Sequence, residues 1–210
     1  RHERPFASVD DLAVRARLEP AELGRLAAAG ALAGLAGHRR QALWQAVALQ
    51  HGDGVLAPAP VHERPAALNA PTEGEELVAD YARLGFTLGR HPLALLRERL
   101  AWMRFSTAAE IAHCADRQLA RAAGIVTCRQ RPGSARGTMF VTLEDETGTA
   151  NVIVHPDLLE RQRRELLGAR LLGVYGQIRR EGRVVHLVAG RVVDHSGLLG
   201  ALATRSRDFH

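Results

Sequence analysis

The chain has 210 residues, of which 46% are hydrophobic and 24% charged, and its formal net charge of +5 accompanies enough apolar residues to exclude an intrinsically disordered protein. This length allows one large domain or two small ones. Two cysteines are too few for a disulfide framework, and no apolar run reaches the roughly 18 residues that cross a bilayer, so we expect a globular cytoplasmic protein that does not enter membranes.

Residues 1–53 have the periodicity of short helices joined by tight turns. Ser8 can cap a helix that runs to about Arg17, and Pro20 suits the first turn of a second helix that ends near Gly30. Paired helices with a Gly-rich turn are typical of helix-hairpin-helix modules, in which amides at a helix start bind DNA phosphates, although a plain helical hairpin explains the same pattern. The residues that would contact phosphate here are Gly37, His38, Arg39 and Arg40.

The composition changes after residue 53. Residues 54–74 are rich in proline and poor in large apolar side chains, which predicts a semi-extended linker at a domain boundary. Helical periodicity returns over residues 75–117, which we interpret as a helical connector. Trp44 and Trp102 have apolar neighbours within these helical stretches, and we predict that both anchor a core.

Residues 118–196 have the alternation of β-strands. Met139, Val141 and Leu143 fall on one face of an extended segment and Phe140 falls on the other, and the turn at Gly148 leads into a further strand. A strand over about 120–129 precedes this hairpin, a helix begins near residue 156, and two strands follow over 171–178 and 184–193.

Three strands, a helix and two strands are the order of an OB-fold, a five-stranded barrel that binds oligonucleotides on its second and third strands and on its first and last loops. The predicted fold class is therefore α+β, with an N-terminal helical, helix-hairpin-helix-like region followed by a five-stranded OB-fold barrel. Residues 197–210 are a C-terminal tail, whose polar end RDFH after Ser206 is either frayed or a docking segment.

The excess positive charge lies in the predicted barrel. All 28 basic residues of the chain are arginine, and between Arg121 and Arg191 there are 12 arginines against 7 acidic residues. The planar guanidinium fork pairs with phosphate and stacks on bases, so this distribution favours nucleic acid as a partner.

Several barrel residues are candidates for contact with single-stranded nucleic acid. Phe140 could stack on a base, with a satellite core position as the alternative, and the first-loop arginines could neutralise phosphates, with a solvated loop as the alternative. Two further candidates are a histidine after the third strand and a tyrosine in the fourth, and the tyrosine is as easily explained by the rim or core of the barrel. The full set is Arg129, Arg131, Arg136, Phe140, His155, Tyr175, Arg179, Arg180 and Arg183.

The chain lacks a recognisable catalytic constellation. The acidic run from Glu144 to Glu146 is more simply a solvated hairpin end than a site for the two Mg²⁺ ions of a polymerase. We predict no catalytic residue, no metal ligand and no cofactor here, and we expect the chain by itself not to be an enzyme.

Three stretches resemble the C-terminal region of bacterial C-family DNA polymerases, the polymerase III alpha subunit and its relatives, and are closest to the error-prone branch. They read LGFTLGRHPL, CRQRPGSARGTMFVTLEDETG and RQRRELLGARLLGV. The resemblance implies a DNA-directed DNA polymerase of which this chain, without an initiator Met, is a C-terminal piece, with Mg²⁺-binding catalytic acids upstream. It also implies translesion synthesis and damage-induced mutagenesis, with single-stranded DNA and accessory mutagenesis proteins as partners.

Two other interpretations remain open. The helices and barrel could serve chiefly as a platform for accessory mutagenesis proteins, with DNA contact secondary. The sequence FVTLEDETG also resembles the anticodon-binding barrel of tRNA synthetases, but the helical region before the barrel does not suit that family.

Overall fold

The computed structural model of this chain describes residues 4–49, 66–182, 184–202, 204 and 206–209. These residues divide into two compact units, Arg1–Phe86 and Thr87–His210. The boundary falls inside the segment 75–117 that the sequence predicts as one connector, so its first helix belongs to the first unit and its later helices belong with the barrel.

The first unit is entirely helical in its described part. Its first helix begins where the sequence predicts, because the Ser8 hydroxyl accepts a hydrogen bond from the Asp11 amide at 3.0 Å. Pro20 occupies the first turn of the second helix. Val9, Leu23 and Ala42 belong to its core. The helices are α1 (Val9–Ala16), α2 (Pro20–Ala28), α3 (Ala33–Ala36), α4 (Arg39–Leu49) and α5 (Glu73–Arg83).

Part of the predicted linker lies against α4. The Gln41 side-chain amide donates to the Ala66 carbonyl at 3.0 Å and its oxygen accepts from the Leu68 amide at 3.1 Å. These two bonds satisfy the buried Gln41 amide and hold the chain ahead of α5. The rest of the predicted linker, residues 54–65, lies outside the described residues.

The second unit contains two helices, a barrel and a final short strand. Its elements are α6 (Pro92–Trp102), α7 (Ala108–His113), β1 (Leu119–Gln130), β2 (Met139–Asp145), β3 (Gly148–Val154), α8 (Pro156–Arg161), α9 (Arg163–Gly168), β4 (Leu171–Glu181), β5 (Val184–Asp194) and β6 (Arg207–Phe209). The order from β1 to β5 confirms the prediction of three strands, a helical segment and two strands.

The barrel closes because β1 pairs antiparallel with both β2 and β4. Strand β2 also pairs antiparallel with β3, β3 pairs in parallel with β5, and β5 pairs antiparallel with β4. This closed ring of five strands confirms the OB-like barrel and the α+β class.

Alternate residues of the strands fill the barrel interior. In β2, Met139, Val141 and Leu143 are buried and Phe140 is not, as their alternation predicts. Helix α7 adds Ile111 to the same core beside the β2–β3 turn, while α8 and α9 cover the opposite end, so helices close both ends of the barrel.

The C-terminal tail forms a sixth strand. Strand β6 pairs in parallel with the end of β1, where Cys128 lies opposite Arg207 and Gln130 opposite Phe209. Leu199 and Leu202 are buried on the way to it. The prediction of a frayed or docking end therefore missed a strand and the two apolar anchors that lead to it.

The prediction that both tryptophans anchor a core is wrong. Trp44 is 52% exposed and Trp102 is 86% exposed. In α6 the buried positions belong to Leu93 and Leu100, and Trp102 follows Leu100 by two residues, which turns its side chain roughly 200° away at about 100° per residue.

No helix within the described residues is long and apolar enough to cross a membrane.

Candidate nucleic-acid interface

The outer surface of the barrel over β2, β3 and β5 carries an apolar row of side chains. Phe140 on β2 lies opposite Ile153 on β3, and Ile153 lies opposite Val188 on β5. All three are half-buried. The row continues to Gln130 on β1 at one side and Gln177 on β4 at the other. Phe140 is therefore on the outer face, in neither the core nor full solvent.

A polar row runs beside the apolar one. Thr142 lies opposite Asn151, and Asn151 lies opposite His186. Asn151 is exposed, and the buried Nδ1 atom of His186 has no hydrogen-bond partner within the described part of the chain. Amide, hydroxyl and imidazole groups can hydrogen-bond to base edges. We call the apolar row and this polar row together the β2–β3 face.

Sequence reasoning singled out only Phe140 from the β2–β3 face. The alternation of β5 marks His186 and Val188 as outward, since Leu187 between them is buried. The parallel register that brings them beside β3 joins segments more than thirty residues apart, and no local pattern encodes it.

The acidic end of β2 bounds the β2–β3 face. His91, at the start of α6, accepts a hydrogen bond from the Leu93 amide through Nδ1, and its Nε2 lies 3.7 Å from a Glu144 carboxylate oxygen. Burial lowers the pKa of His91, while Glu144 and its acidic neighbours oppose that shift. A lowered pKa favours the neutral imidazole, whose Nδ1 can accept the Leu93 hydrogen bond, so His91 serves as the cap of α6.

The acidic run 144–146 is a structural cluster and not simply a solvated hairpin end. Asp145 is buried and accepts hydrogen bonds from the Ala108 amide at 2.7 Å and the Thr147 amide at 2.8 Å. Arg97 pairs with both Asp145 and Glu146, and the hydrogen bond to Glu146 raises the pKa of Arg97. No group of three side chains suited to a metal ion occurs in the described ranges.

Arg129 does not have the role predicted for it. Its side chain is 6% exposed, and its guanidinium donates to the Leu166 carbonyl at 2.7 Å and to the Ala169 carbonyl at the end of α9. It also binds Ser206 and lies 3.4 Å from the Asp208 carboxylate. Because these groups occupy its donors, Arg129 fastens α9 and β6 to the barrel and is not available to phosphate.

The other first-loop arginines are open to solvent. Arg131 and Arg136 are exposed, and neither forms an ion pair within the described residues. The turn takes a left-handed backbone at Arg136 and Gly137, and a Cβ at Gly137 would lie 3.5 Å from the Arg131 guanidinium. His155, also exposed, precedes α8 at the end of β3. These three cations or potential cations border the Phe140 end of the β2–β3 face.

The last hairpin brings a more mixed set. Arg179 is exposed beside Glu181, with 3.3 Å between the two charged groups. Arg180 donates to the carbonyls of Ala112 and Cys114 and so holds the end of α7. Arg183 lies outside the described residues. Arg179 is thus the member of this hairpin that points along the face, opposite His186.

Tyr175 lies on another flank of the barrel. It is opposite Arg121 on β1 and Arg191 on β5, and both guanidiniums stand over its ring. Phe140 lies on β2, which β1 separates from β4 in the ring of strands. Tyr175 is therefore two strands away from Phe140, although it lies two residues along β4 from Gln177, where the apolar row ends.

The predicted phosphate turn of the helical unit is engaged internally. Arg39 is 8% exposed and pairs with Asp80 and Glu76 of α5. Arg40 donates to the Asn69 carbonyl and pairs with Glu75 at 3.2 Å.

The remaining turn residues have different exposure. His38 Nε2 is 3.0 Å from the Leu68 carbonyl, and Gly37 is exposed with a positive φ of 91°. The arginines of this turn thus hold α5 and the segment before it, so they are not free for phosphate.

No protein-family model matches the chain. The chain is 69% identical over 209 residues to the error-prone DNA polymerase of Aromatoleum aromaticum, and this match covers 100% of the chain and 20% of that protein. Similar matches are to the error-prone DNA polymerases of Azoarcus sp., 64% identical over 206 residues with 98% and 19% covered, and Dechloromonas aromatica, 59% identical over 211 residues with 100% and 20% covered.

Among solved structures, asparaginyl-tRNA synthetase from Pyrococcus horikoshii aligns with 42% of this chain and 22% of its own, at 19% identity and a TM-score of 0.36. A score this low carries no argument about this protein. The high-identity matches instead confirm the resemblance seen in the sequence. This chain is similar over its full length to a segment of bacterial error-prone DNA polymerases, and it spans about one fifth of the length of each.

Proposed function

We propose that this chain is a non-catalytic region of an error-prone DNA polymerase and that its barrel holds single-stranded template DNA. The observation that carries the proposal is the half-buried ring of Phe140 on the outer face of β2, in a row with Ile153 and Val188. This is the surface that OB-folds use for oligonucleotides.

The two rows of the β2–β3 face suit an unpaired base. Stacking of a base on an aromatic ring contributes roughly 1 to 3 kcal/mol and tolerates any sequence. Ile153 beside Phe140 gives the base an apolar floor, and Asn151 with His186 offers donors and acceptors to its edge. A base in a duplex could not use both rows, since its face is stacked and its edge is paired.

Charge at the ends of the face supports a strand that crosses it. Arg131 and Arg136 are exposed at one end and Arg179 at the other. Each phosphate that they neutralise releases counterions, so affinity falls as salt rises.

The role in the whole polymerase is also a proposal. Nucleotide transfer and its Mg²⁺ ions belong to the four fifths of the polymerase that this chain does not span, and this region adds grip on the template during damage-induced mutagenesis and translesion synthesis. The chain alone is expected to bind no metal cofactor. It is also expected to incorporate no nucleotide, and a primer-extension assay with Mg²⁺ measures that incorporation.

The test is titration of a fluorescent twelve-nucleotide single strand into the 210-residue chain, read by anisotropy. Phe140→Ala should weaken binding by about 5- to 150-fold, which corresponds to the loss of roughly 1 to 3 kcal/mol of stacking. Trp102→Ala, which removes an exposed aromatic elsewhere, is the matched control and should leave affinity unchanged.

The charged ends need their own variants. Arg131→Ala with Arg136→Ala should weaken binding and flatten its salt dependence more than Arg25→Ala with Arg83→Ala, which removes the same charge from exposed positions of the helical unit. Equal affinity of the wild type, the Phe140 variant and the loop double variant would contradict the proposal.

A second function is favoured by the exposed apolar residues of the same unit. Trp102 and Leu88 are 86% and 85% exposed, so both large apolar side chains are open to a partner. They support the alternative that accessory mutagenesis proteins dock here. Purified accessory proteins that bind wild type but not Trp102→Ala, with DNA affinity unaffected by Phe140→Ala, would favour this function over template binding.

A further inference from the structure

A tyrosine between two arginines lies on the outer surface of β1, β4 and β5. Tyr175 is opposite Arg121 on one neighbouring strand and Arg191 on the other. The guanidinium carbons lie 5.2 and 5.5 Å from the centre of its ring, within cation–π range. We call these three residues the arginine–tyrosine row.

The ring of Tyr175 is held in place by neighbouring aromatic side chains. This ring meets that of the buried Phe105 edge to face, with 5.4 Å between ring centres, and Phe105 meets His195 in the same way. Gly173 makes room for this cluster, because a Cβ there would lie 2.7 Å from atoms of both Phe105 and His195. The rings are therefore packed against backbone, so the tyrosine presents a rigid support to the two cations.

Both arginines of the row remain open to a ligand. Arg121 and Arg191 are exposed, and neither forms an ion pair within the described parts of the chain. A guanidinium that rests on a ring uses its π face and leaves its in-plane N–H donors free. Those donors match two oxygens of one phosphate, and the loss of rotamer freedom on binding is smaller for a side chain already held in place.

We propose that the arginine–tyrosine row is a second polynucleotide-binding site, for the sugar–phosphate backbone, made of residues other than those of the β2–β3 face. The two arginines stand on strands on either side of β4, so their Cα atoms are about 10 Å apart at the usual strand spacing. Two cations in a line suit the repeated phosphates of a polynucleotide. None of the residues around Phe140 belongs to this row.

The test measures the salt dependence of binding of a twelve-nucleotide single strand to Arg121→Gln with Arg191→Gln in the 210-residue chain. Glutamine keeps much of the side-chain length and removes the charge. The slope of log affinity against log salt should fall by about 1.4, since each phosphate contact to a single strand contributes about 0.7. Arg25→Gln with Arg83→Gln is the charge-matched control, and thermal denaturation verifies that each variant is folded.

The tyrosine has a separate expected result. Tyr175→Phe keeps the ring and should bind like wild type, whereas Tyr175→Leu removes the support of both guanidiniums and should weaken binding. An effect of Tyr175→Phe equal to that of Tyr175→Leu would point to the hydroxyl and overturn the supporting role of the ring.

The outcomes separate this site from the β2–β3 face. A slope that falls in the double variant while Phe140→Ala binds like wild type would support the row and remove the first proposal, and the reverse pattern would remove the row. A slope no lower than that of the charge-matched control overturns the row. If the oligonucleotide slope is the same in wild type and the double variant while polyglutamate binds wild type but not the double variant, the row is instead a surface for acidic protein.

Discussion

Two glycine-containing turns of this chain carry arginines that look alike in sequence, yet the structure uses them differently. At the start of α4, Arg39 and Arg40 reach acids of α5, whereas Arg131 and Arg136 in the first barrel loop are exposed without ion pairs in the described residues. The difference lies in the acids that the fold brings nearby. An arginine at a turn is therefore a candidate for phosphate only after its tertiary neighbours are known.

In the barrel, two arginines only two residues apart in sequence also differ in burial. Arg129 follows the inward side of β1, opposite the buried Val141, and ends among the carbonyls of α9. Arg131 lies beyond the end of β1 and is exposed. A register shift in β1 between Val126 and Cys128 sets which of these positions faces the interior, and a bulge of this kind leaves no clear mark in sequence.

The largest expected effect tests the internal use of the helical turn. Arg39→Ala removes the buried guanidinium that pairs with the buried Asp80 and should lower the free energy of unfolding of the helical unit by about 3 to 5 kcal/mol. Arg40→Ala removes an exposed pair and should cost less than about 1 kcal/mol. Urea denaturation followed by circular dichroism measures both, and equal effects would show that burial does not distinguish the two arginines.

The next effect tests the same distinction in the barrel. Arg129→Ala leaves the Leu166 and Ala169 carbonyls without a donor and should lower the free energy of unfolding by about 2 to 3 kcal/mol. Arg136→Ala, at an exposed position, should stay within about 0.5 kcal/mol of wild type. Protection of β1 amides from hydrogen exchange should also fall in the Arg129 variant alone. Unchanged protection there would mean that β6 and α9 do not depend on Arg129.

A smaller effect compares the two turns as ligands of DNA. Arg136→Ala should reduce the salt slope of single-strand binding by about 0.7, the contribution of one phosphate, whereas Arg40→Ala should leave it as in wild type. Anisotropy titrations at four salt concentrations measure the slope. A reduction of the slope by Arg40→Ala would restore the helical turn as a phosphate contact.

The smallest effect concerns pH. Burial lowers the pKa of His91 and of His195 below the ordinary value of 6.5, so the unfolded chain binds protons that the folded barrel does not in the window just below that value. Stability should therefore fall as pH drops from 6.5 through the lowered pKa values and be level above it. His91→Asn keeps a capping acceptor for the Leu93 amide and should flatten this dependence in denaturation curves taken between pH 4.5 and 7.5. An unchanged pH profile in this variant would assign the dependence to other groups.

The sequence by itself determined the strands and much of the topology class. The alternation of Met139, Val141 and Leu143 against Phe140 gave the inner and outer sides of β2, because side chains of a strand point to opposite faces in turn. Ser8 and Pro20 marked helix starts because capping depends on residues within one turn. These are short-range effects, and the primary structure contains all that they need.

Only the tertiary structure decided which side chains meet. It paired β3 with β5, added β6 beside β1, placed Tyr175 between two arginines and turned Trp102 outward. It also separated buried from open arginines, since the partners of Arg129 and Arg39 lie roughly 37 to 79 residues away along the chain. Register, closure and ion pairing depend on contacts between distant segments, and the local patterns of a single sequence leave those contacts undetermined.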